Sequence, residues 1–230
     1  MFVQVFPVEF RLTKFTLKTN YMNLPLVLIV IIAINAIVSY KGFNDISFFR
    51  KYEFHVGSIR AGEQYRMFTS AFLHADWMHL GFNMLTLYFF APVVIANMGN
   101  GGFLLVYLAS LVCGSLLTLS LHKNEPSYRA IGASGAVMGV LFASILIYPD
   151  MRINFIPAYL FGIIYLCFTI YGMKTRAGNI GHTAHFGGAI GGFIITLTRM
   201  PHILQDNTLI VISLAVPIVV MFIMAKAGKL

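Results

Sequence analysis

In a chain built of apolar runs close to membrane-spanning length, one run stops short. It occupies residues 134–148 and is ended by Pro149-Asp150. As a helix its 15 residues would measure about 22 Å at 1.5 Å per residue. A bilayer core is about 30 Å thick and takes about 20 residues to span. Such a helix cannot cross alone, so its first turn, which carries Ser134, is expected below the membrane surface. Backbone at that depth is tolerated only where protein or a water-filled cavity covers it. The shortness of this one run therefore points to a wet pocket inside the membrane with a hydroxyl at its floor.

The composition agrees. Of 230 residues, 58% are hydrophobic and only 10% are charged, whereas soluble domains carry about 25% charged residues. The net charge of +8 is spread over the connecting loops, which suits a lipid headgroup surface and argues against nucleic acid as a partner. Cys113 and Cys167 both lie in apolar runs, which excludes a disulfide framework and a Cys-based metal site. Residues 1–20 lack the compact apolar stretch and small-residue cleavage site of a secretory leader, so no removed leader is expected.

Taken in order, residues 1–22 place Arg11, Lys14 and Lys18 among Phe2, Phe6, Phe10 and Phe15 and predict an interfacial segment. Spans are expected over 24–40, 77–98, 103–121, 134–148, 155–173 and 182–198. A seventh apolar run covers 208–225, with Pro217 inside it. The Gly99-Asn100-Gly101-Gly102 link reads as a tight turn. The loop 41–75 is rich in Phe, Tyr and Arg, and at that length it is expected to be functional or disordered. No internal repeat is present. The chain thus divides into an interfacial segment (1–22), a six-span core (23–199) and a seventh helix with its tail (200–230). Orientation is set by the basic residues of short loops. With the N-terminus inside, the outer loops would hold most of them, among them Arg50, Arg60, Arg66, Lys123 and Arg129, so the count favours the opposite orientation.

Polar groups inside spans are costly and often functional. Ser134 opens a helix whose Gly135 and Gly139 form a small-xxx-small pair, a face that lets another backbone come close. Packing alone accounts for such a Ser well enough, and the hydrolase elbow G-x-S-x-G is not matched because Ala136 stands in place of its second Gly. His185 shares a helix face with Gly188 and Gly192. A solitary intramembrane His is ordinarily a satisfied core residue; a matching Ser-bearing helix in the same chain makes a pair the better reading. Two small-faced helices pressed together would bring the Ser134 hydroxyl within reach of the His185 base. His79 and Asn83 lie one turn apart on the second span, two hydrogen-bond donors on one face, suited to a developing oxyanion. His182-x-x-His185 and His74-x-Asp76-x-x-His79 have spacings that zinc would accept, but the His-Glu-x-x-His motif is missing. A transporter would show interrupted helices in paired halves, and only the short run hints at that.

The stretch from Glu63 to Ala75, then His79-Leu80, Asn83-Met84, Gly132-x-Ser134-Gly135 and Ala184-His185-x-x-Gly188-x-x-x-Gly192, resembles the rhomboid intramembrane serine proteases. The resemblance implies an all-α membrane protein, a six-helix transmembrane bundle plus one C-terminal transmembrane helix. It implies Ser134 as nucleophile and His185 as general base, a dyad without an acidic third member. An oxyanion hole would come from His79, Asn83 and the Ser134 backbone N–H, with Gly132 letting the loop approach the substrate carbonyl. No cofactor and no metal are implied. The partners are transmembrane protein substrates and the lipid bilayer, and the expected residence is a bacterial plasma membrane with the N-terminus inside. The alternative is a catalytically inactive relative that binds client transmembrane segments. Two departures stand out. Tyr65-Arg66 replaces the family's usual Trp-Arg. Met138 occupies the position, four after the nucleophile, where bacterial members often stack a Tyr on the catalytic His, which predicts a looser hold on His185.

Overall fold

The computed structural model describes residues 24–153, 155–176 and 180–230; the interfacial segment expected over 1–22 lies outside the described residues. The first long helix, α1, is Leu26–Asn44. It is followed by α2 (Ile46–Tyr52), β1 (Phe54–His55), α3 (Val56–Arg60), α4 (Arg66–Thr69) and a 3-10 turn, Ser70–Phe72. Next come α5 (Trp77–Leu121), β2 (Arg129–Ala130) and α6 (Ser134–Ile147). A small hairpin of β3 (Arg152–Ile153) and β4 (Ile156–Pro157) leads into α7 (Ala158–Thr175) and α8 (His182–Arg199). The chain finishes with α9 (Ile203–Asp206) and α10 (Thr208–Lys226). Four of the described helices, α1, α5, α7 and α10, are long and apolar enough to cross a membrane.

Two expectations change here. The four-residue turn expected at 99–102 is a single residue: Gly99, at φ 71° and ψ 176°, interrupts α5, and the helix resumes at once. A positive φ is cheap only for Gly, so one residue reverses the chain. Leu87, Ala91 and Val94 of the first limb and Phe103, Val106 and Tyr107 of the second share one buried cluster. The loop 41–75 is neither disordered nor a bare connection. Asp45 caps α2 by accepting from the Phe48 N–H at 2.9 Å, Phe54 pairs with Ala130 across β1 and β2, and Phe54, Val56 and Ile59 are buried. Glu53, 2% exposed, pairs with Arg129 and Arg50, while the Arg66 guanidinium donates to the Arg50 and Glu53 carbonyls. Buried charge of this kind needs full pairing to be tolerated, and here the pairing ties the loop to the strand that leads into Gly132.

The expected short span is α6, 14 residues or about 21 Å. It is enclosed by α5 and α8; α1 packs on α5, α7 on α8, and α10 on α7. Val137, Val140, Ala143 and Leu146 are all within 1% of complete burial, so α6 never has to match the bilayer thickness. The α6–α8 contact is made by backbone. A Cβ added at Gly188 or Gly192 would run into the carbonyl oxygen of Gly135 or Gly139 respectively, and one at Gly135 would lie 3.1 Å from the Ala184 oxygen. The neighbouring fourth and sixth runs predicted from their small faces are therefore in contact. Polar side chains join other helices: the Ser144 hydroxyl donates to the Phe90 carbonyl at 3.0 Å, and the Thr118 and Thr183 hydroxyls meet at 3.0 Å.

Substituting Gly192→Ala forces a methyl group against backbone that cannot rotate away, an overpacking cost of about 1–3 kcal/mol. Gly101, with nothing within 4 Å of an added Cβ, should accept Ala with a gain of up to about 1 kcal/mol. Thermal unfolding of the two variants in detergent micelles is expected to move in opposite directions.

Candidate active site

The loop ahead of α6 is shaped before it reaches Ser134. Gly132 stands at φ +114°, a conformation that L side chains rarely adopt, and its N–H donates to the Ser70 carbonyl at 3.0 Å. The next N–H, that of Ala133, donates to His74 Nε2 at 3.4 Å. Ser134 then begins α6, half-buried, and its N–H is among the donors that a helix start leaves without an intrahelical acceptor.

His79 meets this loop from α5. A Cβ at Gly132 would lie 2.8 Å from His79 Cε1, 2.9 Å from Nε2 and 3.7 Å from Ser134 Oγ. The imidazole, the glycine and the hydroxyl therefore converge on one spot, and the glycine is there because nothing larger fits. Asp76 caps α5 by accepting from the His79 N–H at 2.8 Å. The His79 Nδ1 accepts from the Ala75 N–H at 3.3 Å, so in the neutral ring the proton sits on Nε2, the atom that faces the Gly132 loop. Asn83 lies one turn on, buried, and spends one amide N–H on the His79 carbonyl at 3.0 Å. Its second N–H remains to be used.

His185 lies in the first turn of α8, half-buried. The Ala184–Gly135 contact sets its turn beside that of Ser134. Among the described residues no hydrogen bond joins Ser134 Oγ to His185. Such bonds are often long in unliganded sites and tighten with substrate. The ring is anchored from the other side: His185 Nδ1 lies 2.8 Å from the Tyr165 hydroxyl of α7. The looser hold expected from Met138 is thus corrected. Met138 packs between the two main buried clusters, and a phenol from another helix holds the imidazole. Nothing in the sequence marked Tyr165, one aromatic among several in an apolar run.

His74 enters the sequence reading only through the zinc-compatible spacing His74-x-Asp76-x-x-His79. It is fully buried, its Nδ1 lies 2.8 Å from the Ser39 hydroxyl of α1, and its ring meets that of His79 edge-on at 4.9 Å. It ties α1, the loop before Ser134 and the His79 ring together. Burial, the nearby His79 charge and, in opposition, Asp76 leave its pKa lowered from 6.5 to about 3, so it works as a neutral ring. With both nitrogens engaged it is not available to the His74-x-Asp76-x-x-His79 zinc arrangement. No group of three His, Cys, Asp or Glu gathers as a metal site among the described residues.

Two cavities flank these helix starts. A small one of about 30 Å³, lined by Ser70, Gly132, Gly135 and Ala184 among others, lies directly beside the loop, with room for one or two waters. A larger one of about 300 Å³ opens at the start of α8, with His122, Glu125, Tyr128, Arg176, His182 and Thr183 in its wall.

A match to the family described as "Rhomboid domain" covers residues 61–202. The chain is 35% identical over 135 residues to "Rhomboid protease GluP" of Bacillus subtilis, covering 59% of this chain and 26% of that protein. It is 29% identical over 181 residues to "RHOMBOID-like protein 12, mitochondrial" of Arabidopsis thaliana, covering 70% and 54%. It is also 31% identical over 134 residues to "Rhomboid protein 1, mitochondrial" of Saccharomyces cerevisiae, covering 54% and 39%. The matched region spans about a quarter to a half of these relatives' lengths.

A His whose folded-state pKa lies below its unfolded value takes up its proton only on unfolding. Its contribution is fully present above the unfolded pKa and is lost as pH falls. With 6.5 dropping to about 3 at His74, stability should decline steadily between those two pH values. A His74→Asn variant, which cannot charge, should reduce that decline by up to about 1.4 kcal/mol per pH unit. Unfolding in detergent between pH 7 and pH 4 measures it.

Proposed function

The chain belongs to the rhomboid family of multi-pass membrane proteins, and from that premise we propose that it is a serine endopeptidase cutting peptide bonds in or beside the transmembrane segments of other membrane proteins. The observation that carries the proposal is the convergence of Ser134 Oγ, Gly132 and the His79 ring on one spot, at the contact where α6 and α8 begin.

In this reading Ser134 Oγ attacks the scissile carbonyl carbon while His185 Nε2 takes the hydroxyl proton. The oxyanion is held by the His79 Nε2–H, the free Asn83 N–H and the Ser134 backbone N–H. When the intermediate collapses the C–N bond breaks, and His185 passes its proton to the departing amine. A water then attacks the acyl-Ser134 carbonyl and gives a proton to His185. The ester C–O bond breaks, the proton returns to Ser134 Oγ, and the product leaves as a carboxylic acid that gives up its proton to water. The small cavity beside Gly132 and Gly135 would be the source of that water. A helical substrate hides its carbonyls in i to i−4 hydrogen bonds, so the strand to be cut must unwind at the site. Residence in a bacterial plasma membrane, with the N-terminus inside, belongs to the same proposal, as does the division into an interfacial segment, a six-span core and a seventh helix.

The second reading, an inactive binder of client transmembrane segments, draws on the missing Ser134–His185 hydrogen bond. A fluorophosphonate serine probe separates the two: labelling of the folded chain that disappears in Ser134→Ala favours the protease, and silence favours the binder.

Cleavage of a reporter transmembrane substrate in detergent should fall by at least about 1,000-fold in Ser134→Ala and in His185→Ala, with the two losses not additive, as for residues acting as one unit. Cleavage by Ser134→Ala at the parent rate sinks the assignment. Asn83→Ala, which removes one oxyanion donor, should lower kcat by about 100-fold with KM little changed.

A further inference from the structure

Tyr165 lies within α7, with its ring stacked on Phe161 at 5.9 Å and tilted against Phe142 and Phe168. A phenol oxygen can accept a hydrogen bond as well as donate one, and here it lies 2.8 Å from His185 Nδ1. The two rings lie nearly parallel, 28° apart with centroids at 6.3 Å. The hydroxyl therefore approaches the imidazole at the nitrogen that the proposed reaction does not use.

Which nitrogen carries the proton decides whether the ring can work. A neutral imidazole has one N–H. If Nδ1–H donates to the Tyr165 oxygen, Nε2 is bare and can take the proton of Ser134. If Nε2 keeps the proton, the ring has no base to offer on that side. A third group that holds the correct tautomer, and then steadies the imidazolium, is the part a buried carboxylate plays in serine hydrolases with a triad. Among the described residues no carboxylate is bonded to His185, and a phenol oxygen can accept the same hydrogen bond without bringing a buried charge.

Resting on the protease reading above, we propose that Tyr165 is a positioning residue, the neutral third member of a Ser134–His185–Tyr165 relay. Its phenol oxygen accepts from His185 Nδ1–H, leaves Nε2 bare towards Ser134, and strengthens that bond when Nε2 becomes protonated. The hydroxyl comes from α7 and reaches the far edge of the ring, so it acts by hydrogen bonding where a stacked ring would act by contact.

The test is Tyr165→Phe in the full chain, which keeps the ring packing and deletes one oxygen. We expect kcat on the reporter substrate to fall about 10- to 100-fold, the worth of one hydrogen bond to a charged group, with KM within about twofold of the parent. Nitrogen-15 NMR of the His185 ring should report Nδ1 protonated in the parent and a mixture of tautomers in the variant. A parent-like kcat, or an Nε2-protonated ring in the active parent, overturns the proposal. If Tyr165→Phe unfolds, the parent spectrum alone still decides it, and Phe161→Leu, which disturbs the ring stack but keeps the hydroxyl, should leave kcat within about threefold. A chain in which Ser134→Ala cuts as fast as the parent loses the protease reading itself. Loss in Ser134→Ala with no loss in Tyr165→Phe discards only the relay.

Discussion

Backbone touching backbone between α6 and α8 is the contact on which the rest of the molecule depends. Gly188 lies against the Gly135 carbonyl and Gly192 against the Gly139 carbonyl. In a bilayer there is no hydrophobic force to pull two helices together, because lipid tails are as apolar as the helices themselves. Close van der Waals fit has to supply the attraction. Glycine at these positions lets the axes approach until the first turns of both helices share one neighbourhood. Ser134 and His185 ride on those turns. Two short-reach side chains from distant parts of the sequence need just such a shared neighbourhood.

Around that contact the protein places its polar groups by different means. Ion pairs are kept to the end of the bundle, where Glu53 gathers Arg50 and Arg129 and fastens the 41–75 loop beside the strand leading to Gly132. Deeper in, neutral groups replace charges. His74 is held by Ser39 and by a backbone N–H, and Asn83 turns one donor back on its own helix. The separation follows from the cost of burying charge, which is large unless every partner is present. It also clarifies the basic-residue count. Several of the arginines counted against an inside N-terminus, Arg50, Arg66 and Arg129 among them, are committed to structural pairs within a folded loop.

Much of this was legible in the sequence where a physical rule connects residues a few places apart. The early stop at Pro149 marked α6 as too short, the Gly spacing marked the faces of α6 and α8, and the one-turn separation of His79 and Asn83 put both on one side of α5. What failed to show were interactions closed by the fold. Residues 99–102 all look like turn formers, and only the structure shows Gly99 alone reversing the chain. The 41–75 loop has no periodicity because long-range ion pairs and a two-residue strand pairing hold it. His74 stood in plain view, but its partners Ser39 and Ala133 come from far along the chain. Tyr165 gave no sign at all, since a helix apolar on every side does not reveal which of its aromatics turns inward.

The length of α6 also bears on how the chain is made. A segment of this size is a poor independent passenger for the insertion machinery, and it meets its full set of neighbours only after α8 has been synthesised. The loop before Ser134 and the His185 imidazole therefore come together late, as one of the last acts of assembly. A nascent chain that has emerged only as far as α6 carries the Ser134 hydroxyl without the helix that bears His185.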